Sequence, residues 1–371
     1  MALKTLLAVP FTITALIVLP SIGQTPLKDA FAEHFMIGGA LNINQSSGRD
    51  ARGESIVKTH FNTISPENIL KWHSVQPTEG RFSFAGADKY VEFGQKNKMF
   101  IVGHTLVWHN QTPGWVFVGK DGKPASKEVL TERLRKHIHT VVGRYKGRIG
   151  SWDVVNEALN EDGSLRNSMW LKIIGKEYIP LAFRFAHEAD PLAELYYNDY
   201  SLENEPKRKG AIELIRWLQS EKVPVHGIGT QSHHIMEFPP ISDQEKTLID
   251  FGGLGLKIAI SELDVDVLPR PSKHSGGIDS MAYQSGIDPF KKEFPAEMQK
   301  RLADRYADIF RVFVKHHKLI DRVTFWCVTD ADSWLNNWPV RGRTNYPLLW
   351  GRNGDPKPAF YSVVDTAMNP N

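Results

Sequence analysis

Cysteine is almost absent: Cys327 is the only one in 371 residues. That excludes an internal disulfide, a lipid-bearing cysteine near the start and a cysteine metal site. Charge of one sign is lacking too. Lys and Arg total 45 against 42 Asp and Glu, a formal balance of +3 with no block of like charge, so nucleic acid is excluded as a partner. Other signatures are missing as well. His104 and His109 in "HTLVWH" do not have the H-E-x-x-H spacing for zinc. No G-x-S-x-G elbow is present, and no G-x-G-x-x-G follows the first apolar run. "GGLG" at Gly252–Gly255 lacks the Lys-Ser/Thr of a phosphate loop. No metal and no cofactor is expected.

One longer apolar run stands at the start. Lys4 precedes Leu6–Leu19, which falls short of the roughly 20 residues that span a bilayer, and Ser21 and Gly23 offer the small residues of a cleavage site. Residues 1–23 therefore read as an export signal. The mature chain, 24–371, is expected to be secreted, extracellular or periplasmic, with no membrane attachment once the signal is removed. The full sequence's 41% hydrophobic and 23% charged residues are globular values, and a chain of this size buries enough surface to fold without disulfides.

The remainder alternates. Eight short apolar runs end in polar residues: Met36–Asn42, Phe61–Asn68, Met99–His109, Ile149–Glu157, Glu194–Tyr200, Val225–His234, Leu256–Val265 and Arg322–Trp334. Helical spacing follows each one. Ser126–Gly147 places Val129, Leu130, Leu134, Ile138, Val141 and Val142 on one stripe, with Ser126 as N-cap. Segments 205–224 and 295–317 repeat the pattern, and weaker ones lie at 49–59, 87–97, 169–189, 242–251 and 357–368. Strand–helix alternation requires parallel neighbours, and eight units imply an α/β fold that is a single (β/α)8 TIM barrel; an open doubly wound sheet is the competitor. A stretch rich in Pro, Gly and Ser, about 269–294, reads as an insertion after the seventh strand, on the face where barrels place their active sites.

The strand tips carry the chemistry. A bare polar group buried within a strand costs about 2–7 kcal/mol, but at the C-terminal end of a barrel strand it meets substrate. The tips hold Glu67 and Asn68, His104 and Trp108, Asn156 and Glu157, Asn198 and Asp199, Gln231 and His233, Glu262 and Asp264, then Trp326 and Trp334. Two carboxylates on strands four and seven, surrounded by amides, imidazoles and indoles, suit glycosidic bond hydrolysis. One carboxyl protonates the leaving oxygen, the other attacks or stabilises the anomeric carbon, and flat rings stack on sugars.

"SPENILKW" (65–72), "GHTLVWHNQTPGW" (103–115), "WDVVNEAL" (152–159), "GTQSHH" (229–234), "ISELDV" (260–265) and "TFWCVTDADSWL" (324–335) resemble, in order, the motifs of glycoside hydrolase family 10, the endo-β-1,4-xylanases. The resemblance implies retaining double displacement on xylan or xylo-oligosaccharides; the protein is separately expected to be a monomer. The resemblance also implies Glu157 as acid/base, Glu262 as nucleophile, Asn156 on the sugar 2-hydroxyl, and His233 on the nucleophile with Asp264 behind it. Glu67, Asn68, Lys71, His104, Trp108 and Gln231 match the non-reducing-side sugar contacts, and Trp326 and Trp334 the aromatics over the central subsites. Two departures stand out: Cys327 where the family commonly has glycine, and "LLWG" (348–351) where Leu-Leu-Phe-Asp is usual. The alternatives are another retaining barrel glycosidase, a cellulase or mannanase, and a non-catalytic carbohydrate-binding barrel.

Overall fold

The computed structural model describes residues 25–270 and 285–369. Eight parallel strands close on themselves: β1 Met36–Leu41, β2 Thr63–Pro66, β3 Phe100–Trp108, β4 Ser151–Asn156, β5 Glu194–Asp199, β6 Gly227–Thr230, β7 Lys257–Asp266 and β8 Ile320–Phe325. Each pairs with the next, and β8 returns to β1 with Met36 opposite Arg322, so the barrel has no open edge. The open-sheet alternative is thereby excluded.

Eight main helices wrap the barrel: α1 Ala51–His60, α2 Ala85–Lys96, α3 Lys127–Arg144, α4 Tyr178–Ala189, α5 Glu205–Ser220, α6 Ile241–Gly252, α7 Ala296–Lys315 and α8 Pro358–Met368. The hydroxyl of Ser126 accepts from the Val129 amide and so caps α3 as its sequence predicts. Val129 itself departs from the expected stripe and is exposed, whereas Leu130, Leu134, Ile138, Val141 and Val142 are buried.

Two elements differ from expectation. The segment 169–189 is not one helix: Met169–Ile174 ends at Gly175, whose φ of 91° no continuing helix adopts, and α4 starts three residues later. The run 225–234 also divides. β6 ends at Thr230, and a separate short strand, His233–Ile235, pairs with β7. Between them Ser232 takes a φ of 57°, turning the chain so that His233 comes to lie opposite Asp264.

Some of the polar groups inside the barrel are paired. At its base the buried Arg322 guanidinium lies 4.3 Å from the Tyr196 ring centroid and donates to Asp321 at 3.1 Å. Trp350, from the "LLWG" departure, is a core residue: its ring meets Phe61 edge-on at 5.7 Å and tilts against Phe360 at 5.4 Å. Of the expected insertion, 271–284 lie outside the described residues, as does the expected signal 1–23. The described end of that stretch packs down, with Phe294 stacked on Tyr346 at 4.5 Å and Asp288 accepting from the Thr344 amide at 3.0 Å. Among the described residues, no helix is long and apolar enough to cross a membrane.

Close packing within the barrel sets one expectation. A Cβ on Gly103 of β3 would sit 2.2 Å from the indole of the fully buried Trp152 on β4. Gly103→Ala should therefore destabilise by about 1–3 kcal/mol, the usual range for overpacking. Urea denaturation measures this, and an unchanged midpoint would show that the indole has room to move.

Candidate active site

Backbone pairing brings the candidate residues together at the C-terminal mouth. The Glu157 amide donates to the Asn198 carbonyl (2.8 Å), the Gln231 amide to the Asp199 carbonyl (3.0 Å), the Glu262 amide to the Gln231 carbonyl (3.0 Å) and the Trp326 amide to the Leu263 carbonyl (3.0 Å). One rung of hydrogen bonds thus links the tips of β4 to β8.

The side chains make a second rung above it. Glu157 Oε1 accepts from Gln231 Nε2 at 3.1 Å, and Gln231 Nε2 also reaches Asn156 Oδ1 at 3.3 Å. Asn156 Oδ1 accepts from Asn198 Nδ2 at 2.9 Å, and the same nitrogen donates to Glu262 Oε1 at 2.9 Å. The two glutamates therefore stand at the ends of a chain of three amides. Their orientations follow from their partners: Ser261 donates to Asn198 Oδ1 (2.6 Å), which turns the Asn198 NH2 toward the site. With its oxygen taken by two donors, Asn156 presents its own NH2, which lies 3.4 Å from Glu157 Oε1. Neither carboxylate is sealed in hydrocarbon: the Glu157 side chain is 13% exposed and that of Glu262 7%.

Glu262 is held as an anion. Burial opposes its charge, but the His233 hydrogen bond, His104 and Lys71 outweigh burial and bring its pKa below the ordinary carboxylate value. His233 Nε2 meets Glu262 Oε2 at 3.2 Å, and His233 Nδ1 meets Asp264 Oδ1 at 3.0 Å. Burial alone would lower the imidazole pKa, yet Asp264 and then Glu262 raise it to about 10. With both nitrogens protonated, the ring donates to both carboxylates. Trp334 Nε1 donates to Asp264 Oδ2 at 2.8 Å, so the same carboxylate anchors an indole as well as the imidazole.

The expected sugar contacts surround this pair. Lys71 Nζ donates to Asn68 Oδ1 (3.0 Å) and lies 4.9 Å from the Trp108 ring centroid and 5.8 Å from that of Trp326. Burial lowers the Lys71 pKa, while Glu262, Glu67 and Glu157 all oppose that shift. Burial raises the Glu67 pKa against the pull of Lys71. His104 Nδ1 is 2.8 Å from Asp153 Oδ2, and its ring stands edge-on to Trp326 at 5.4 Å. Trp108, expected only as a sugar contact, donates its indole N–H to Glu157 Oε2 at 2.8 Å. Trp334 is not on a strand but in a 3-10 turn, Trp334–Asn336, stacked on Trp338 at 4.8 Å.

Cys327 follows Trp326 with a φ of 92°, a left-handed conformation that favours glycine, and its thiol is buried. Burial, then the Glu67 carboxylate, drives the thiol pKa well up, so it stays protonated and inert.

Sequence reasoning found Asn198 as a strand tip but gave it no role. It missed Asp153, Ser261 and Arg166 altogether. Arg166 lies in a loop, and only its position in space marks it. Among the described residues, no group of three or more His, Cys, Asp or Glu could hold a metal ion.

Known proteins share this arrangement of fold and sequence. The sequence model of glycosyl hydrolase family 10 matches residues 26–366. An endo-1,4-β-xylanase A of Xylanibacter ruminicola is 40% identical over 343 residues, covering 92% of this chain and 93% of that one. The solved structure of a GH10 endoxylanase from a sugarcane soil metagenome is 43% identical with a TM-score of 0.88, covering 93% of this chain and 100% of that one. An intracellular xylanase from Thermoanaerobacterium saccharolyticum, 35% identical with a TM-score of 0.80, covers 92% of this chain and 98% of its own.

The raised pKa of His233 has a consequence for stability. A group that binds its proton more tightly when folded contributes stability that is complete below its unfolded pKa, about 6.5, and is lost as pH rises through its folded value, about 10. Unfolding free energy should thus decline between roughly pH 6.5 and 10, and Asp264→Asn should flatten that decline. Denaturant titrations at pH 6, 8 and 10 measure it; parallel curves for the two proteins would remove His233 from the explanation.

Proposed function

The chain belongs to glycosyl hydrolase family 10, and from that premise we propose that it is an endo-1,4-β-xylanase which cleaves xylan internally with retention of anomeric configuration. Glu157 serves as acid/base and Glu262 as nucleophile. The observation that carries the assignment is the amide chain Gln231–Asn156–Asn198, which ties the two carboxylates to one opening.

The steps follow from that assignment of roles. Glu157 gives its proton to the glycosidic oxygen as Glu262 attacks the anomeric carbon, forming a glycosyl ester and freeing the leaving chain. Attack consumes the charge on Glu262, and Glu157, now a carboxylate, takes a proton from the water that opens the ester. Protonated His233 and Asn198 hold the two oxygens of Glu262, fixing which lone pair faces the sugar. The NH2 of Asn156, which reaches Glu157 Oε1 through one hydrogen, has a second for the 2-hydroxyl, a contact that strengthens as the oxocarbenium-like state develops and so lowers the barrier rather than only improving binding. Trp326 and Trp334 supply flat faces for the central sugars, while Glu67, Asn68, Lys71, His104 and Gln231 contact the non-reducing side.

The remaining parts of the reading rest on sequence pattern. Residues 1–23 form a cleaved export signal, and 24–371 one catalytic barrel with an insertion at about 269–294, acting as a secreted monomer on a polysaccharide.

Purified protein should release xylo-oligosaccharides from linear xylan, with the β-anomer seen first by proton NMR. Glu262→Ala should lose at least about a thousandfold in rate, and azide should partly restore Glu157→Ala on an activated aryl glycoside. Equal initial rates on carboxymethyl-cellulose and xylan would overturn the substrate assignment, and α-anomer as first product would overturn the mechanism.

A further inference from the structure

Glu157 has an unusual backbone. Its φ is 57°, left-handed and not glycine, at the point where β4 ends. Such a conformation is strained for a residue with a side chain and persists only where its surroundings impose it. Both of its backbone polar groups are pinned. The amide donates to the Asn198 carbonyl at 2.8 Å, and the carbonyl accepts from Arg166 Nε at 3.0 Å.

Arg166 does more than close that one contact. Its Nη2 donates to the Leu159 carbonyl at 3.0 Å and to the Tyr200 hydroxyl at 2.8 Å. Its own amide donates to the Ala158 carbonyl at 2.7 Å, so one residue binds three successive carbonyls, 157, 158 and 159. From the other side Asp199 takes the Leu159 amide at 3.3 Å together with the Tyr197 hydroxyl. Asp199 is in turn paired at 3.0 Å with Lys207, both fully buried, and Lys207 Nζ sits 3.3 Å from the Tyr200 ring centroid. The fork is thus held on a rigid support.

Arg166 reaches the acid through its backbone and not its carboxylate, whose hydrogen-bonding partners are Trp108, Gln231 and Asn156. The neighbouring His109, whose Nδ1 lies 4.0 Å from Glu157 Oε2, is kept neutral at a pKa of about 4, by burial first and then by Arg166 and Lys207. It therefore adds no competing cation beside the carboxylate.

We propose that Arg166 is a positioning residue for the reaction: its planar fork fixes the left-handed backbone of Glu157 and thereby aims the acid/base carboxylate at the glycosidic oxygen. The proposal rests on the assignment of Glu157 as acid/base. A lysine, a single point charge, reaches one carbonyl where the guanidinium binds two and a hydroxyl. What Arg166 supplies is then protonation of the leaving group, an aid that a phenol needs and a dinitrophenol does not.

The test compares kcat/KM, which reports the glycosylation step, for phenyl and 2,4-dinitrophenyl β-xylobiosides. Arg166→Lys should lose about tenfold or more on the phenyl substrate and stay within about threefold on the dinitrophenyl one. Tyr200→Phe, which deletes a single contact of the fork, should show the same asymmetry at about two- to fivefold, and it carries the test should the lysine variant fail to fold. Equal losses on both substrates, or no loss on either, would overturn the proposal. Glu157→Ala is the control: the acid/base assignment requires the same asymmetry there, larger than for Arg166→Lys, and its absence would sink that assignment whatever Arg166 does.

Discussion

The hydrogen bond from His233 to Glu262, backed by Asp264, is the interaction on which the rest of the site depends. A carboxylate so far buried would otherwise bind a proton and lose its charge. The cationic imidazole keeps it charged, and Asp264 keeps the imidazole cationic. The arrangement demands that three residues from two neighbouring segments meet in register. That is why the chain turns at Ser232 and adds a short strand beside β7. The irregularity is local, and the closed barrel around it is regular enough to absorb its cost.

Much of the barrel could be read from periodicity alone. Buried parallel strands are short apolar runs, and their helices carry one apolar stripe, so alternation of the two is visible without any contact being known. The reading failed where a local conformational rule interrupted a continuous pattern. Residues 169–189 keep helical spacing across Gly175, but spacing does not reveal that this glycine adopts a positive φ. Residues 225–234 are one polar-ended run, yet they serve two strands because the turn at Ser232 has no compositional mark.

The site was legible to a different depth. Glu157 and Glu262 stand out because a carboxylate at the end of a buried run needs a reason. His233 and Asp264 follow only through likeness to a family. Asn198 lies at a strand tip like several neighbours, and its importance emerges from geometry: one nitrogen serves both Asn156 and Glu262. Arg166 was invisible. Its partners are backbone carbonyls, which every residue possesses, so nothing in the sequence says which of them it will bind. Trp350 shows the converse: a residue that stands out as a departure from the family pattern is a core ring packed against Phe61 and Phe360.

The solitary thiol of Cys327 offers a practical return. It lies enclosed in the floor next to Trp326, and no second sulfhydryl exists elsewhere in the chain to confuse a signal. Alkylating reagents can reach it only when that floor opens, so the labelling rate under native conditions clocks local breathing of the proposed sugar-binding surface, separately from global unfolding. A bound oligosaccharide that slows the labelling would convert this one sulfur atom into a reporter of occupancy, without any probe having to be engineered into the protein.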